Sequence, residues 1–236
     1  AYGAADMSGV SRLQYTTEIR LIRVMCSGRV DLEFVLRAFS NGMDGVFVGG
    51  CRLNECNYIT HGNYDALAMV LLCKKIMEQI GLNPERLRIG FMSSGEGILF
   101  VEAVNDFVQT VKELGPLGKG EGLDGHGLAL KLGAATRLVP YIKLVERERL
   151  RVSTRSEEAY HEFWNSDEVN RLFGELILDK LAISQITSLL RESPLQTSEI
   201  AGTLGLSPSE VSKHLTSASE QGFVTYDQTK KCYALA

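Results

Sequence analysis

Apolar positions in the first half of the chain fall into blocks that alternate between strand-like and helix-like patterns. Short runs rich in apolar and β-branched residues, typical of buried strands, occur at 18–25 (EIRLIRVM), 44–50 (DGVFVGG) and 85–92 (ERLRIGFM). Longer segments with helical spacing follow them at 31–42, 63–81 and 94–115. This alternation predicts an α/β fold with a mainly parallel sheet and flanking helices.

The opening segment GAADMSGVSRLQY (3–15) predicts one more helix, and no strand-like run precedes it. A fold of alternating strands and helices that starts on its helix is short of a first strand. We therefore expect the natural polypeptide to have more sequence before Ala1.

Glycine marks the clearest boundary in the chain. The stretch GPLGKGEGLDGHG (115–127) contains six glycines and predicts a flexible linker at 116–127. It follows an α/β domain at 1–115, and it precedes a segment at 128–175 whose patterns predict a helical connector. The aromatic residues of that connector suit either a small core or a surface for a partner.

The last part of the chain, 176–236, has the pattern of a winged helix-turn-helix domain. One helix is followed by helix, tight turn and helix at 196–222, and then by two short strands at 223–236. The turn contains Gly205, and the spacing resembles the arsenic-repressor type.

Charge argues against strong DNA binding by this domain, because phosphate neutralisation supplies much of the affinity for DNA. From 180 to the end of the chain, five basic residues face five acidic ones. The predicted recognition helix, 208–221, has Lys213 as its one basic residue apart from His214, and it has no arginine to read guanine. A docking or structural role is therefore favoured over DNA recognition.

Bulk composition changes the picture little. The 236 residues are 44% apolar and 23% charged, with a net charge of −4, which excludes a disordered tail or a broadly basic nucleic-acid binder as a description of the whole chain. No apolar run reaches the length of a membrane span, and the N-terminus lacks the pattern of a signal peptide. A cytoplasmic protein is expected.

Cysteine carries the candidate chemistry. Of five cysteines, Cys26 follows the first predicted strand, Cys51 follows the second, and Cys56 comes five residues later. Because the carboxyl ends of parallel strands meet at one edge of a sheet, these three thiols can converge there. The other two, Cys73 within a helical pattern and Cys232 on the wing, are expected to be packing residues.

The spacing alone leaves metal ligation and plain thiols both open. Cys-x4-Cys is not a usual zinc spacing, and the four histidines are scattered. The same spacing occurs in plant-type ferredoxins that bind a 2Fe–2S cluster. Neither a GxGxxG nor a P-loop motif is present, which disfavours a nucleotide-using enzyme.

A family resemblance adds to this interpretation. The stretches GAADMSGVSRLQY, IRLIRVMCSGRVD, FVLRAFSNGMDGVFVGGCRLNECNYI, GNY and NPERLRIGFMSSGEG resemble, in order, the iron–sulfur delta subunit of methyl-viologen-reducing hydrogenase. The resemblance implies a 2Fe–2S cluster. It also implies electron transfer between a hydrogenase or formate dehydrogenase and a heterodisulfide reductase-like flavoprotein, in the cytoplasm of anaerobes. It assigns cluster ligation to Cys26, Cys51 and Cys56.

The chain departs from that family at its start. Members have a short strand and a Cys-x-x-Cys directly before the stretch that begins here at Ala1, so this chain matches three of four cluster ligands. A selenocysteine in that pair, with its UGA codon read as a stop, would produce such a start. The upstream DNA tests this hypothesis.

Two functions follow. The favoured one is an electron-transfer iron–sulfur subunit without a substrate site of its own. The alternative is a redox- or metal-responsive regulator that binds DNA through the winged helix.

Overall fold

The computed structural model describes residues 1–58 and 61–236. Contacts divide the chain into two units, one of residues 1–122 with 152–166 and the other of residues 123–151 with 167–236. The domain bounds expected from the sequence place all of 128–175 in one connector, whereas this division assigns parts of it to both units. Every helix in the described ranges is too short or too polar to cross a lipid bilayer.

Ten α-helices and four strands are the main elements of the described residues. In chain order they are α1 Tyr2–Val10, α2 Leu32–Ser40, β1 Val46–Gly50, α3 Asn63–Gln79, β2 Leu87–Phe91, α4 Gly97–Leu114, α5 Gly125–Arg149, α6 Glu157–Asn165, α7 Asp167–Phe173, α8 Asp179–Leu190, α9 Thr197–Leu204, α10 Pro208–Glu220, β3 Val224–Asp227 and β4 Cys232–Leu235.

The first unit contains a small parallel sheet. Strands β1 and β2 pair from Val46 opposite Leu87 to Gly50 opposite Phe91. Helix α2 begins after Asp31, whose carboxylate accepts a hydrogen bond from the amide two residues on, as the N-cap pattern predicts. Helix α1 packs on α4. The predicted helix at the start of the chain is therefore confirmed.

The predicted strand at 18–25 is wrong. These residues pair with no strand among those described, and Ile22 and Met25 are more than four-fifths exposed. Apolar, β-branched composition favours a strand, but a strand also needs a neighbour that completes its hydrogen-bond ladder. The mainly parallel sheet is accordingly small, with two strands in the described part of the unit.

The glycine-rich stretch after α4 is held by a buried arginine, which differs from the expected flexible linker. The Arg86 guanidinium is fully buried and donates to the carbonyls of Leu114, Gly115 and Pro116. It also donates to the Glu121 carboxylate. The loop is thereby tied to strand β2, which Arg86 directly precedes.

The second unit has a helix-turn-helix with a two-stranded wing, as predicted. Gly205, at φ +72°, ends α9 in the left-handed conformation that favours glycine. Ser207 and Glu210 form a capping box that starts α10. Strands β3 and β4 pair antiparallel. The core joins apolar residues of the helices and of the wing, among them Ile186, Ile200, Leu204, Val211, Leu215 and Val224.

Candidate metal centre

Three thiols come together beside the carboxyl end of β1. Cys51 directly follows the strand, and Cys56 lies in the loop that continues from it. The Cys56 thiol is hydrogen-bonded to Cys51 and to Cys26, and all three side chains are free and partly exposed. The residues that the sequence singled out therefore lie in one cluster.

The surroundings give the paired thiols different acidities. Burial raises the pKa of Cys51, and its contact with Cys56 raises it further. Burial acts in the same direction on Cys56. However, donors from the backbone of Tyr58 and Asn63 and from the two neighbouring thiols outweigh it and lower the pKa of Cys56. Cys56 is therefore the thiol of this pair most readily present as thiolate, the form that binds metals.

Close backbone approach, more than strand pairing, brings Cys26 to the other two. A Cβ on Gly28 would lie 2.5 Å from the Gly62 carbonyl oxygen, so the turn after Cys26 rests against the start of α3. A Cβ on Gly62 would lie 2.5 Å from the Cys56 sulfur. Neither position has room for a side chain, so glycine at both is needed for the thiols to meet.

Asn63 fixes the loop that carries two of the thiols. It is buried, and its side-chain amide donates to the carbonyls of Cys51 at 2.9 Å and Arg52 at 2.7 Å. The same nitrogen lies 3.7 Å from the Cys51 sulfur. Sequence analysis did not single out Asn63. The available signal was a polar residue next to a glycine at the start of an apolar helix.

A second anchor on this loop is the ion pair of Arg52 with Glu96, which precedes α4. Hydrogen bonds from the Arg52 guanidinium and from the Ser93 amide lower the pKa of Glu96 to about 2. The pair is partly exposed, so it orients the loop without a large contribution to stability.

Ser27 is also buried in this cluster. Its hydroxyl has no hydrogen-bond partner among the described residues. An unsatisfied hydroxyl beside three sulfur ligands fits a centre that accepts hydrogen bonds. The donor chemistry, thiolate with nearby N–H and O–H groups, suits iron–sulfur binding in kind.

The thiols as they stand contact one another and do not surround a metal position. In residues 1–58 and 61–236, no three or more His, Cys, Asp or Glu side chains form a ready metal-binding group. Thiols in hydrogen-bond contact must separate when a metal binds. The ligand assignment to Cys26, Cys51 and Cys56 thus stays a prediction.

The remaining two cysteines are packing residues, as expected. Cys73 is fully buried in α3, and burial raises the pKa of its thiol to about 12. Cys232 is buried in β4. Neither belongs to the thiol cluster.

The winged helix offers little free positive charge. On α10, Lys213 lies 3.7 Å from the Asp179 carboxylate, and His214 lies 3.8 Å from the same group. Burial lowers the pKa of His214, which favours its neutral form.

Comparisons with known proteins agree with the two-part interpretation. Residues 1–115 match the family model described as methyl-viologen-reducing hydrogenase, delta subunit. Residues 184–226 match the model described as bacterial regulatory protein, arsR family.

Similar proteins fall into two groups, and the first consists of short hydrogenase proteins. The iron–sulfur subunit of the F420-non-reducing hydrogenase of Archaeoglobus profundus is 45% identical over 115 residues, which are 49% of this chain and 83% of that protein. The vhu iron–sulfur subunit of the F420-non-reducing hydrogenase of Methanococcus maripaludis is 46% identical over 115 residues, 49% of this chain and 85% of that protein.

The second group is much longer. The ferredoxin/F(420)H(2)-dependent CoB-CoM heterodisulfide reductase of Methanosarcina acetivorans has a subunit that is 49% identical over 118 residues, 50% of this chain. The match spans 15% of that protein's length. Since the two hydrogenase proteins are covered over most of their length, the chain belongs, through residues 1–115, to the family of the methyl-viologen-reducing hydrogenase delta subunit.

Proposed function

We propose that this protein is an electron-transfer subunit whose residues Cys26, Cys51 and Cys56 hold a 2Fe–2S cluster. The observation that carries the proposal is the mutual contact of the three thiols beside the end of β1. The relatives named as hydrogenase iron–sulfur subunits support it. When bound, such a cluster accepts and releases single electrons.

The protein's own residues prepare the site. The lowered pKa of Cys56 favours the ligating thiolate, and Asn63 fixes the backbone that carries Cys51. A 2Fe–2S cluster takes four ligands, so one more must come from outside these three residues. The Ala1 amino group lies close enough to Cys51 for their charges to interact, so residue 1 is beside the thiols.

Electrons would pass between a hydrogenase or formate dehydrogenase and a heterodisulfide reductase-like flavoprotein, in the cytoplasm. The shorter relatives are named for a hydrogenase, and the longer relatives are heterodisulfide reductase subunits that contain a segment similar to residues 1–115. Five free thiols suit a reducing compartment.

The segment before Cys26 suits contact with that flavoprotein. Leu21, Ile22 and Met25 are exposed, and they lead directly to the thiol cluster. Arg20 donates to backbone carbonyls and Arg23 lies over an aromatic ring; neither is paired with a carboxylate of the described residues. An apolar strip flanked by such cations suits a partner surface of apolar and acidic residues.

The test is iron and acid-labile sulfide in protein purified anaerobically from its own gene with the upstream codons retained. Cysteine-to-serine variants at 26, 51 and 56 are expected to lose most of the iron, and Cys73→Ser serves as the control that keeps it. Equal iron in all variants, or no iron in the wild type, would remove the cluster assignment. Loss of electron transfer in Ile22→Asp with normal iron would locate the partner surface.

A second candidate function rests on the arsR-family match: a redox- or metal-responsive regulator that binds DNA. The few unpaired cations of α10 make it the weaker interpretation. A mobility-shift assay at low and high salt separates the two. Sequence-specific, salt-sensitive binding that Lys213→Ala weakens would favour the regulator.

A further inference from the structure

The Ser27 hydroxyl is the starting point. Ser27 is 5% exposed, and its Oγ is buried with no hydrogen-bond partner in the described residues. Burial of a hydroxyl that makes no hydrogen bond costs about 1–3 kcal/mol in proteins, so such a group usually has a partner. Neighbouring polypeptide in the described ranges does not supply one for Ser27.

The position of that hydroxyl is between two of the thiol-bearing residues. Ser27 directly follows Cys26 in the chain. Its Oγ lies 3.1 Å from the point that a Cβ on Gly50 would occupy, and Gly50 directly precedes Cys51. A side chain larger than hydrogen at position 50 would crowd the hydroxyl. The backbone therefore leaves the Ser27 Oγ at the place where the chains of Cys26 and Cys51 approach each other.

Asn63 places a second donor on the same edge. Its Nδ2 lies 3.7 Å from the Cys51 sulfur, within the range of an N–H to sulfur contact. Two carbonyls hold this amide in place, so its N–H group is fixed in direction. Ser27 and Asn63 are thus two buried donors beside sulfur.

We propose that the Ser27 hydroxyl donates a hydrogen bond to a sulfur of the metal centre, and that Ser27 and Asn63 together make the centre easier to reduce. The inference rests on the proposed function, since it needs the cluster. Reduction adds negative charge to the sulfurs, and fixed donors stabilise that charge, so hydrogen bonds to sulfur raise a cluster's reduction potential. Ser27 does not ligate iron in this proposal.

The experiment compares the wild type with Ser27→Ala, Ser27→Thr and Ser8→Ala. Ser8 is the matched control, because it is similarly buried but its hydroxyl already donates to the Ala5 carbonyl at 2.7 Å. Iron and sulfide are measured first, on the wild type. Absence of a cluster there counts against the proposed function, before any variant is compared. The midpoint potential is then measured by redox titration with electron paramagnetic resonance.

Ser27→Ala is expected to bind iron as the wild type does but to show a lower midpoint potential. The equilibrium constant for reduction should fall by about fivefold to tenfold, and tenfold corresponds to about 59 mV for one electron. Ser27→Thr, which keeps a hydroxyl, and Ser8→Ala should stay near the wild type. Partial loading does not disturb the comparison, because the titration reads loaded molecules.

Two results would overturn the inference. One is a Ser27→Ala potential equal to that of Ser8→Ala, which would mean that the hydroxyl does not contact the centre. The other is complete loss of iron from folded Ser27→Ala protein, which would mean that Ser27 is required for binding and is not merely a donor.

Discussion

The buried ion pair of Arg86 with Glu121 gives the sharpest stability prediction. The Arg86 side chain is fully buried, and that of Glu121 is 8% exposed. Replacement of Arg86 by Met keeps most of the volume but leaves the Glu121 carboxylate without its cation. It also removes the donor to the Asp44 carbonyl before β1 and to the loop carbonyls after α4.

The expected loss is large. Removal of one partner of a buried pair costs about 3–5 kcal/mol, because the other charge stays desolvated. With a urea dependence of about 2 kcal/mol per molar, the unfolding midpoint should fall by roughly 1.5–2.5 M. The pKa of Glu121 is lowered despite its burial, through hydrogen bonds from Arg86 and two backbone amides, so the carboxylate stays charged at neutral pH.

The assay can follow the first unit alone. Trp164 is the single tryptophan, it is buried, and it belongs to that unit. Its fluorescence in urea reports the unfolding of the unit that contains Arg86. The matched control is Arg37→Met, since Arg37 pairs with Glu33 on the exposed face of α2 and its loss should cost less than about 0.5 kcal/mol.

The reasoning would be refuted if the two arginine variants unfolded at the same urea concentration. A second variant, Glu121→Gln, keeps the shape and an acceptor oxygen but loses the charge. We expect it to cost less than Arg86→Met, about 1–3 kcal/mol, because a buried cation then keeps its carbonyl partners. A larger loss than that of Arg86→Met would mean that the loop carbonyls matter little.

Three further outcomes are expected. Gly62→Ala should lose most of the bound iron, because its Cβ would lie 2.5 Å from the Cys56 sulfur, whereas Gly95→Ala, with open space around it, should keep it; equal iron in both would contradict the site. In the metal-free protein, iodoacetamide should modify Cys56 before Cys73, whose pKa of about 12 and full burial make it inert until unfolding; mass mapping of the modified peptides checks the order. The pKa of Glu96 is depressed from 4.5 to about 2, so its contribution to loop order is present above 4.5 and lost as the pH falls towards 2; hydrogen exchange of the loop, corrected for intrinsic rates, should rise in that window in the wild type and not in Glu96→Gln.

Local physics explains what the sequence by itself determined. Helix starts such as Asp31 and Ser207 could be read directly, since an N-cap side chain bonds to amides two or three residues away. The glycine that ends α9 is equally local. The candidate thiols could be named because the spacing of Cys51 and Cys56 and their neighbours resembles one family, which the family match confirms.

Tertiary contacts decided the rest, because they join residues far apart in the chain. The run at 18–25 has the composition of a strand but, among the described residues, no neighbour to complete its ladder. Arg86 looks like any charged residue until the fold surrounds it with carbonyls from another loop. Cys26 reaches the other thiols through the contact of Gly28 with Gly62, and steric room at a glycine is a property of what packs against it, which no local pattern encodes.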